Sequence, residues 1–498
     1  MTTTETNTTG NADAFAFVGG DKGNLIGGRW VPAVSGETIP AINPATGERL
    51  GSIAASSSAD VDEAVAAARI AFEGEWSRWT PHERRKLLLL IHDVVLEHFD
   101  ELAMIETLDM GAPLTRTQGL REWTSQVLQF FASQTDAGSV AAAPNSLPGD
   151  FLTLRYLKPV GVVGGIIPWN GPLIGLWWIF GPALATGCTA VLKPAEDASL
   201  SVLRVAELMT EAGVPDGVIN VVTGYGAAAG RPLAEHQGVD RIAFTGSVGT
   251  AQTIVRASAG NLKRLQMELG GKSPDIVFAD ADLDKAVPGA AMGVYTNSGQ
   301  VCVAGTRIFV QRSIHDEFVD RIAEFTATIR VGDGRDPETQ LGPLISKRQL
   351  DRVMKYIEIG NGEAQLRAGG HRLDGDQANG FFVEPTVFAG ANNEMTIARE
   401  EIFGPVATVI PFDTEDEAVR LANATPYGLA GGLWTENAGR AHRVSQAIEA
   451  GTVWVNCYGV LDPAIGFGGT KQSGYGWKGA VDHVQSYLYP KAVYMNIG

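Results

Sequence analysis

The chain has 498 residues, 45% of them apolar and 19% charged, the balance of a soluble globular protein; at about 150 residues per domain the length implies about three domains. A formal net charge of −17 argues against a nucleic-acid or anionic-membrane surface, because phosphate binding needs a basic footprint. Three cysteines, Cys188, Cys302 and Cys457, do not make a disulfide framework in so long a chain and fit reduced thiols in the cytoplasm.

Met1–Asn11 is rich in Thr and Asn, with neither a basic region nor an apolar core. It is expected to open a disordered leader reaching residue 20, not a signal peptide. After a short strand-rich stretch, Leu88, Ile91, Val95, Phe99 and Leu102 recur at steps of three and four, the stripe of an amphipathic helix. Gly111 is placed to end that run, with Pro113 just beyond. From Gly161 to Leu192 there is no charged residue, long enough for a membrane span. Pro168, Asn170, Pro172 and Pro182 interrupt it, so a buried strand, a turn, a helix and a second buried strand are expected instead. Short β-branched runs at Val160–Ile167, Thr189–Leu192, Val218–Val222 and Arg241–Thr245 alternate with helical stretches at Ser199–Ala212 and Val248–Ala259. That rhythm implies a parallel sheet covered by helices. A second α/β region follows from Ser273, with strands expected at Asp275–Phe278 and Arg307–Gln311. Ala141–Leu157 and the strand-like tail Gln485–Ile497 remain as a candidate oligomerisation arm for a dimer or tetramer.

In an open parallel sheet, ligands bind beyond the carboxyl ends of the strands, and the unusual residues fall there. The strands end at Pro168-Trp169-Asn170, at Lys193-Pro194-Ala195-Glu196, at Thr245-Gly246-Ser247 and, after an extended run Leu262–Met267, at Glu268-Leu269-Gly270-Gly271. Gly246-Ser247 turns a strand into a helix, whose free N–H groups suit an anion; taken alone such a pair is more often an ordinary turn. Glu196 beside Lys193 can accept both hydroxyls of an adenosine ribose, and its charge would repel a 2′-phosphate, favouring NAD over NADP. A solvated loop pair is the plainer alternative. Cys302 stands among glycine and amide residues, Asn297 to Val303, a setting that suits an exposed turn more than a packed core. Cys188 and Cys457 read as structural. Glu268 beside a low-dielectric cleft would gain the basicity a general base needs, and the Asn170 amide can donate to an oxyanion. None of the eight histidines falls in these motifs, which weakens a cysteine–histidine hydrolase, and no cluster has metal-ligand spacing, so no metal is expected.

Taken together, these strings resemble the aldehyde dehydrogenase superfamily from about Leu25 to the C-terminal end. They are Pro168-Trp169-Asn170, LKPAE at Leu192–Glu196, FTGS at Phe244–Ser247, ELGGKSPDIVF at Glu268–Phe278, GQVC at Gly299–Cys302, EEIFGPV at Glu400–Val406 and GFGGTKQSGYG at Gly466–Gly476. The resemblance implies NAD-dependent oxidation of an aldehyde to the acid. Cys302 would be the nucleophile, Glu268 the base, and Asn170 with the Cys302 N–H the oxyanion hole. Lys193 and Glu196 would hold the adenosine ribose, Gly246 and Ser247 the pyrophosphate, and Glu401 and Phe403 the nicotinamide ribose. Gly226 would admit the adenine, and Trp169 would lie at the cofactor wall. The implied fold is a Rossmann-like parallel-sheet cofactor domain (21–137 and 159–268), an α/β catalytic domain (269–484) and a small β oligomerisation arm (138–158 and 485–498).

The chain also departs from the family pattern. Many members carry Lys after the tryptophan matching Trp178 and Arg-Glu after the last glycine of the Ser-Gly-x-Gly string; here stand Ile179 and Trp477-Lys478. In those members that pair is thought to relay protons from Glu268, so here Glu268 is expected to use another route, such as water. Gly171, Gly175 and Thr296 replace bulkier residues and, with Trp177, Trp178 and Phe467, imply a roomy apolar tunnel for a bulky aldehyde. Three alternatives stand beside this reading: a CoA-acylating relative, which would generally lack Glu268; a non-catalytic protein, which would be expected to lose Cys302, Glu268 or Asn170; and a cofactor-free thiol hydrolase.

Overall fold

The computed structural model of the protein describes residues 8–498. Besides a three-stranded sheet in the order Asp21–Lys22, Arg49–Ala54, Thr38–Ile42, three sheets organise the described residues. The first has eight strands, and its order runs Gly474–Tyr475, Arg264–Leu269, Arg241–Gly246, Val162–Ile166, Thr189–Lys193, Ile219–Val221, Asn24–Ile26, Arg29–Val31. The five strands from Arg264–Leu269 to Ile219–Val221 are mutually parallel. Each is short and almost wholly buried, as expected where helices cover both faces. The chain lays down Val162–Ile166 and moves outward on one side, then returns to build Arg241–Gly246 and Arg264–Leu269 on the other. That reversal is a topological switch point, where an open parallel sheet forms a crevice.

The second sheet has seven strands, in the order Gln365–Ala368, Thr386–Ala389, Val406–Phe412, Arg307–Gln311, Pro274–Val277, Ala430–Trp434, Thr452–Val455. Only the first of these pairs antiparallel. The third sheet is antiparallel, with Leu488–Asn496 paired along its whole length to Phe151–Pro159, which pairs in turn with Ala141–Ala142.

The uncharged stretch divides as strand Val162–Ile166, helices Pro172–Gly175 and Trp177–Thr186, and strand Thr189–Lys193. No helix of the described residues is long and apolar enough to cross a membrane. Three expectations need correction. The leader is helical from Thr8 to Val18, and Ala14 and Val18 bury against the core of the first half; Met1–Asn7 lie outside the described residues. The stripe from Leu88 to Leu102 is carried by two helices, Pro81–Glu97 and Phe99–Met110. His98 separates them with φ −96° and ψ 14°, while its ring Nδ1 and its own N–H both meet the Val94 carbonyl, at 3.0 and 3.2 Å. Finally, Leu262 is no strand residue: it sits at φ +58°, 87% exposed, on the turn before Arg264.

Gly474–Tyr475 lies within the stretch assigned by resemblance to the catalytic domain, yet it adds the edge strand of the first sheet. Tyr475 pairs with Met267 and Gly474 with Glu268. This crossing fixes where the following residues fall.

Candidate active site

The strand ends Ile166, Gly246 and Leu269 lie side by side, since Phe244 registers with Ile166, Thr245 with Glu268 and Gly246 with Leu269. Beyond them opens a cleft of about 560 Å³, in the range of small-molecule sites. Its walls bring together Trp169, Asn170, Gly246, Ser247, Glu268, Cys302, Glu401 and Phe403 from five separate stretches of sequence.

Cys302 is reached through a constrained turn. Asn297 and Ser298 take left-handed φ values of 55° and 58°, conformations that cost about 1–3 kcal/mol each in a non-glycine residue. Buried hydrogen bonds hold them. Ser298 Oγ donates to the Gly342 carbonyl at 2.7 Å, Asn297 Nδ2 to the Asn170 carbonyl at 3.0 Å, and Gln300 Oε1 accepts from the Ile345 N–H at 3.0 Å. Asn170 Nδ2 donates to the Gln300 carbonyl at 2.9 Å; an amide carries two N–H donors, so the second remains for a ligand. The result is a half-buried cysteine on a rigid support, while Cys188 is buried and all three cysteines are free.

Burial pushes the Cys302 thiol well above its ordinary pKa, the Glu268 carboxylate beside it adds to the rise, and the Lys478 ammonium opposes it. Glu268 is buried at 2% exposure. Its Oε2 accepts from Lys478 Nζ at 3.1 Å, and its Oε1 has no partner. The expected departure at this place is thus an ion pair: Lys478 supplies a cation to Glu268, while Ile179 is buried against Gly165 and supplies none.

Glu401 accepts from the Gly271 N–H at 3.0 Å, and burial raises its carboxyl above the usual range. Phe403 holds φ +60° with its ring edge-on to Trp169, centroids 5.3 Å apart. Ser247 caps the helix Val248–Ser258, its Oγ accepting from the Thr250 N–H at 3.3 Å.

The other expected residues lie outside this cleft. Lys193 and Glu196 pair with each other at 3.1 Å, the lysine buried and the carboxylate part-exposed. Gly226 is the exposed first residue of the short π-helix Gly226–Gly230, where a side chain would meet nothing within 4 Å. Phe467 joins an apolar cluster with Val303 and Leu429, against which Cys302 and Cys457 pack. Trp178 is buried against Trp123 and Phe131. Thr296 is exposed and spends its hydroxyl on the Met292 carbonyl at 2.7 Å. A side chain on Gly171 would reach only Ile174, at 3.7 Å, whereas one on Gly175 would press on Ile167 at 3.3 Å, so Ile167 already fills that space.

Sequence reading missed Arg348, Gln349 and Arg352, which line the cleft from the helix Lys347–Glu363. Gln349 Nε2 donates to the Phe403 carbonyl at 2.7 Å and Arg352 to the Glu401 carbonyl at 2.6 Å, so they hold the loop that presents those two residues. Their only signal in the sequence is a polar helix face, which looks like any solvated one.

A thiol and a carboxylate at the switch point of a helix-covered parallel sheet define an α/β protein with a nucleophile and a base at a small-molecule cleft. The aldehyde dehydrogenase family model matches residues 30–493. The Bacillus subtilis (strain 168) protein DhaS is 47% identical over 483 residues, 97% of each chain. The mitochondrial benzaldehyde dehydrogenase of Antirrhinum majus is 42% identical over 473 residues, 94% of this chain and 88% of its own. An NAD+ complex of the Bacillus cereus aldehyde dehydrogenase superposes with a TM-score of 0.95 at 43% identity, covering 98% of this chain and 99% of that one. The chain belongs to the aldehyde dehydrogenase family.

Proposed function

We infer that the protein oxidises an apolar aldehyde to its carboxylic acid with NAD, through a thioester on Cys302 that water hydrolyses. The observation that carries this reading is the meeting of the Cys302 thiol, the buried Glu268 carboxylate and the Asn170 amide at one cleft.

The residues present suit a dinucleotide. Ser247 opens a helix whose first N–H groups suit a pyrophosphate. The part-exposed Glu196 carboxylate, anchored by Lys193, suits an adenosine ribose, with Gly226 on the adenine side. Glu401 and Phe403, on the cleft wall beside Trp169, suit the nicotinamide ribose. The chemistry that NAD supplies when bound is acceptance of a hydride from the substrate carbon. Glu268 takes the thiol proton, the thiolate attacks the carbonyl carbon, and the Asn170 amide with the Cys302 N–H stabilises the oxyanion. Once Glu268 has released that first proton to solvent, its carboxylate takes a proton from water, the hydroxide adds to the thioester carbon, and the C–S bond breaks with Cys302 leaving as thiolate. Retention of Glu268 disfavours transfer to CoA.

The aldehyde we propose is bulky and apolar. Gly171 and Thr296 leave room, and Phe467 with Val303 supplies apolar wall; the benzaldehyde dehydrogenase relative points the same way. A homodimer or homotetramer in the cytoplasm completes the reading. The sheet of Leu488–Asn496 with Phe151–Pro159 exposes Leu152, Tyr489 and Tyr494, apolar surface suited to a second copy.

The test is NADH formation across short, branched and aromatic aldehydes without CoA, with Cys302→Ala alongside. Turnover lost in the variant and rising from short to bulky substrates is expected. Turnover only after CoA is added would establish the acylating reaction, and turnover by Cys302→Ala would overturn the thioester.

A further inference from the structure

Lys478 reaches Glu268 just beyond the strand that crosses to the first sheet. Gly474 pairs with Glu268, and four residues on Lys478 bridges Phe467 through two backbone hydrogen bonds of 2.7 Å. Its side chain is pinned. Nζ donates to Thr245 Oγ1 at 2.8 Å and to Glu268 Oε2 at 3.1 Å, and Thr245 and Glu268 are register partners on adjacent strands. Cation and carboxylate are 8% and 2% exposed. Removing one partner of such a pair leaves a buried charge uncompensated.

The other charged or titratable groups facing the pair are few. Cys302 lies beside Glu268, and Glu401 faces the thiol from the loop across the cleft. His483, on the adjoining helix Ala480–Gln485, is buried and feels Lys478; burial first, then Arg241 and Lys478, push its imidazole well below the ordinary value, so it is neutral. Arg348 and Arg352 line the same cleft, Arg352 donating to the Glu401 carbonyl; Lys478 is the cation bonded to Glu268 and the one that opposes the rise of the Cys302 thiol.

We propose that Lys478 is a positioning residue for proton transfer from Cys302 to Glu268: it tethers Oε2, leaves Oε1 as the free acceptor, and counters whichever group carries the negative charge. In this step the S–H bond breaks, an O–H bond forms on the carboxylate, and the electron pair stays on sulfur. Nothing is oxidised or reduced. Carboxylate plus ammonium before, and thiolate plus ammonium after, both sum to zero, so one fixed cation neutralises both ends of the transfer. This rests on the reading of Cys302 as nucleophile and Glu268 as base.

The test follows iodoacetamide alkylation of Cys302 in the full-length protein by peptide mass spectrometry between pH 6 and 10, with Cys457 as internal reference. Lys478→Gln is expected to raise the Cys302 alkylation midpoint by about one pH unit, tenfold in thiolate at neutral pH, with Cys457 unchanged. Lys478→Arg is expected to restore it. An unchanged or lower midpoint in Lys478→Gln would overturn the proposal. Should that variant fail to fold, Glu268→Gln is compared with Glu268→Gln/Lys478→Gln, in which no buried charge is left unpaired. The double variant is expected to titrate higher, and equal midpoints would overturn the proposal. Turnover by Cys302→Ala would remove the underlying reading as well, whereas an inactive Cys302→Ala beside alkylation indifferent to Lys478 would remove only this step.

Discussion

Asn170 joins two jobs in one side chain: its amide fixes the Gln300 carbonyl at 2.9 Å, two residues before Cys302, and it lines the cleft with a donor to spare. One preorganised oxyanion donor is worth about 10²–10³ in kcat. Asn170→Ala is expected to lose that much in kcat in steady-state NADH assays while cofactor affinity holds; a fall only in cofactor affinity would assign Asn170 to binding. At this scale the sequence was legible where a residue type is rare in its setting. Cys302 among amides and glycines, and Glu268 at a strand end, both stand at the cleft. Lys478 was visible only as a departure, because no local pattern tells that a residue 210 positions on returns to Glu268. Its charge, opposite to that of the carboxylate, was the available signal. Arg352 was hidden for a different reason: its role is to hold the Glu401 carbonyl, and backbone partners leave no trace in side-chain patterns.

Elements were legible wherever burial imposes a period. Arg307–Gln311 is a strand over the expected residues, and Arg241–Gly246 extends its expected run by one. Helix breaks were less so, since the His98 kink preserves the three-and-four stripe that marks the helix: Ile91, Val95, Phe99 and Leu102 all remain buried. The stop at Gly111 was visible because it is chemical. Gly111 holds φ +82° and its N–H returns to the Thr107 carbonyl at 2.9 Å, the left-handed cap that ends Phe99–Met110. A Cβ there would stand 2.6 Å from Pro343 Cγ and 2.8 Å from Pro44 Cγ. Neither proline ring can swing aside. Left-handed strain and overpacking together predict that Gly111→Ala destabilises by roughly 2–4 kcal/mol, read as a lower urea midpoint. An unchanged midpoint would mean that the two proline loops shift freely.

At the scale of the molecule, alternation of strand and helix implied parallel sheets, but strand order and the crossing at Gly474–Tyr475 are long-range pairings that periodicity does not encode. Nor does periodicity reveal which polar residues are buried with them. Asp275, in the interior strand Pro274–Val277, is wholly buried and accepts from Trp434 Nε1 at 3.0 Å. Burial lifts its carboxyl to about 7, the indole hydrogen bond opposing. An unfolded aspartate ionises near 3.9, so between about pH 4 and 7 the folded protein holds one proton more than the unfolded chain. Stability from this group is complete below about pH 4 and is lost as pH rises through 7, at about 1.4 kcal/mol per pH unit. Glu106 and Asp109 are raised to about 7 by burial and act in the same direction. Neutral His483 acts oppositely, because the unfolded imidazole gains a proton below about pH 6.5 that the folded one refuses. Comparing Asp275→Asn with the parent cancels these other groups and keeps an acceptor for Trp434. The parent's advantage over the variant in urea unfolding is expected to shrink by about 2–3 kcal/mol between pH 5 and pH 7; a constant difference would mean that Asp275 stays ionised in the core, with a cation or ordered water compensating its charge.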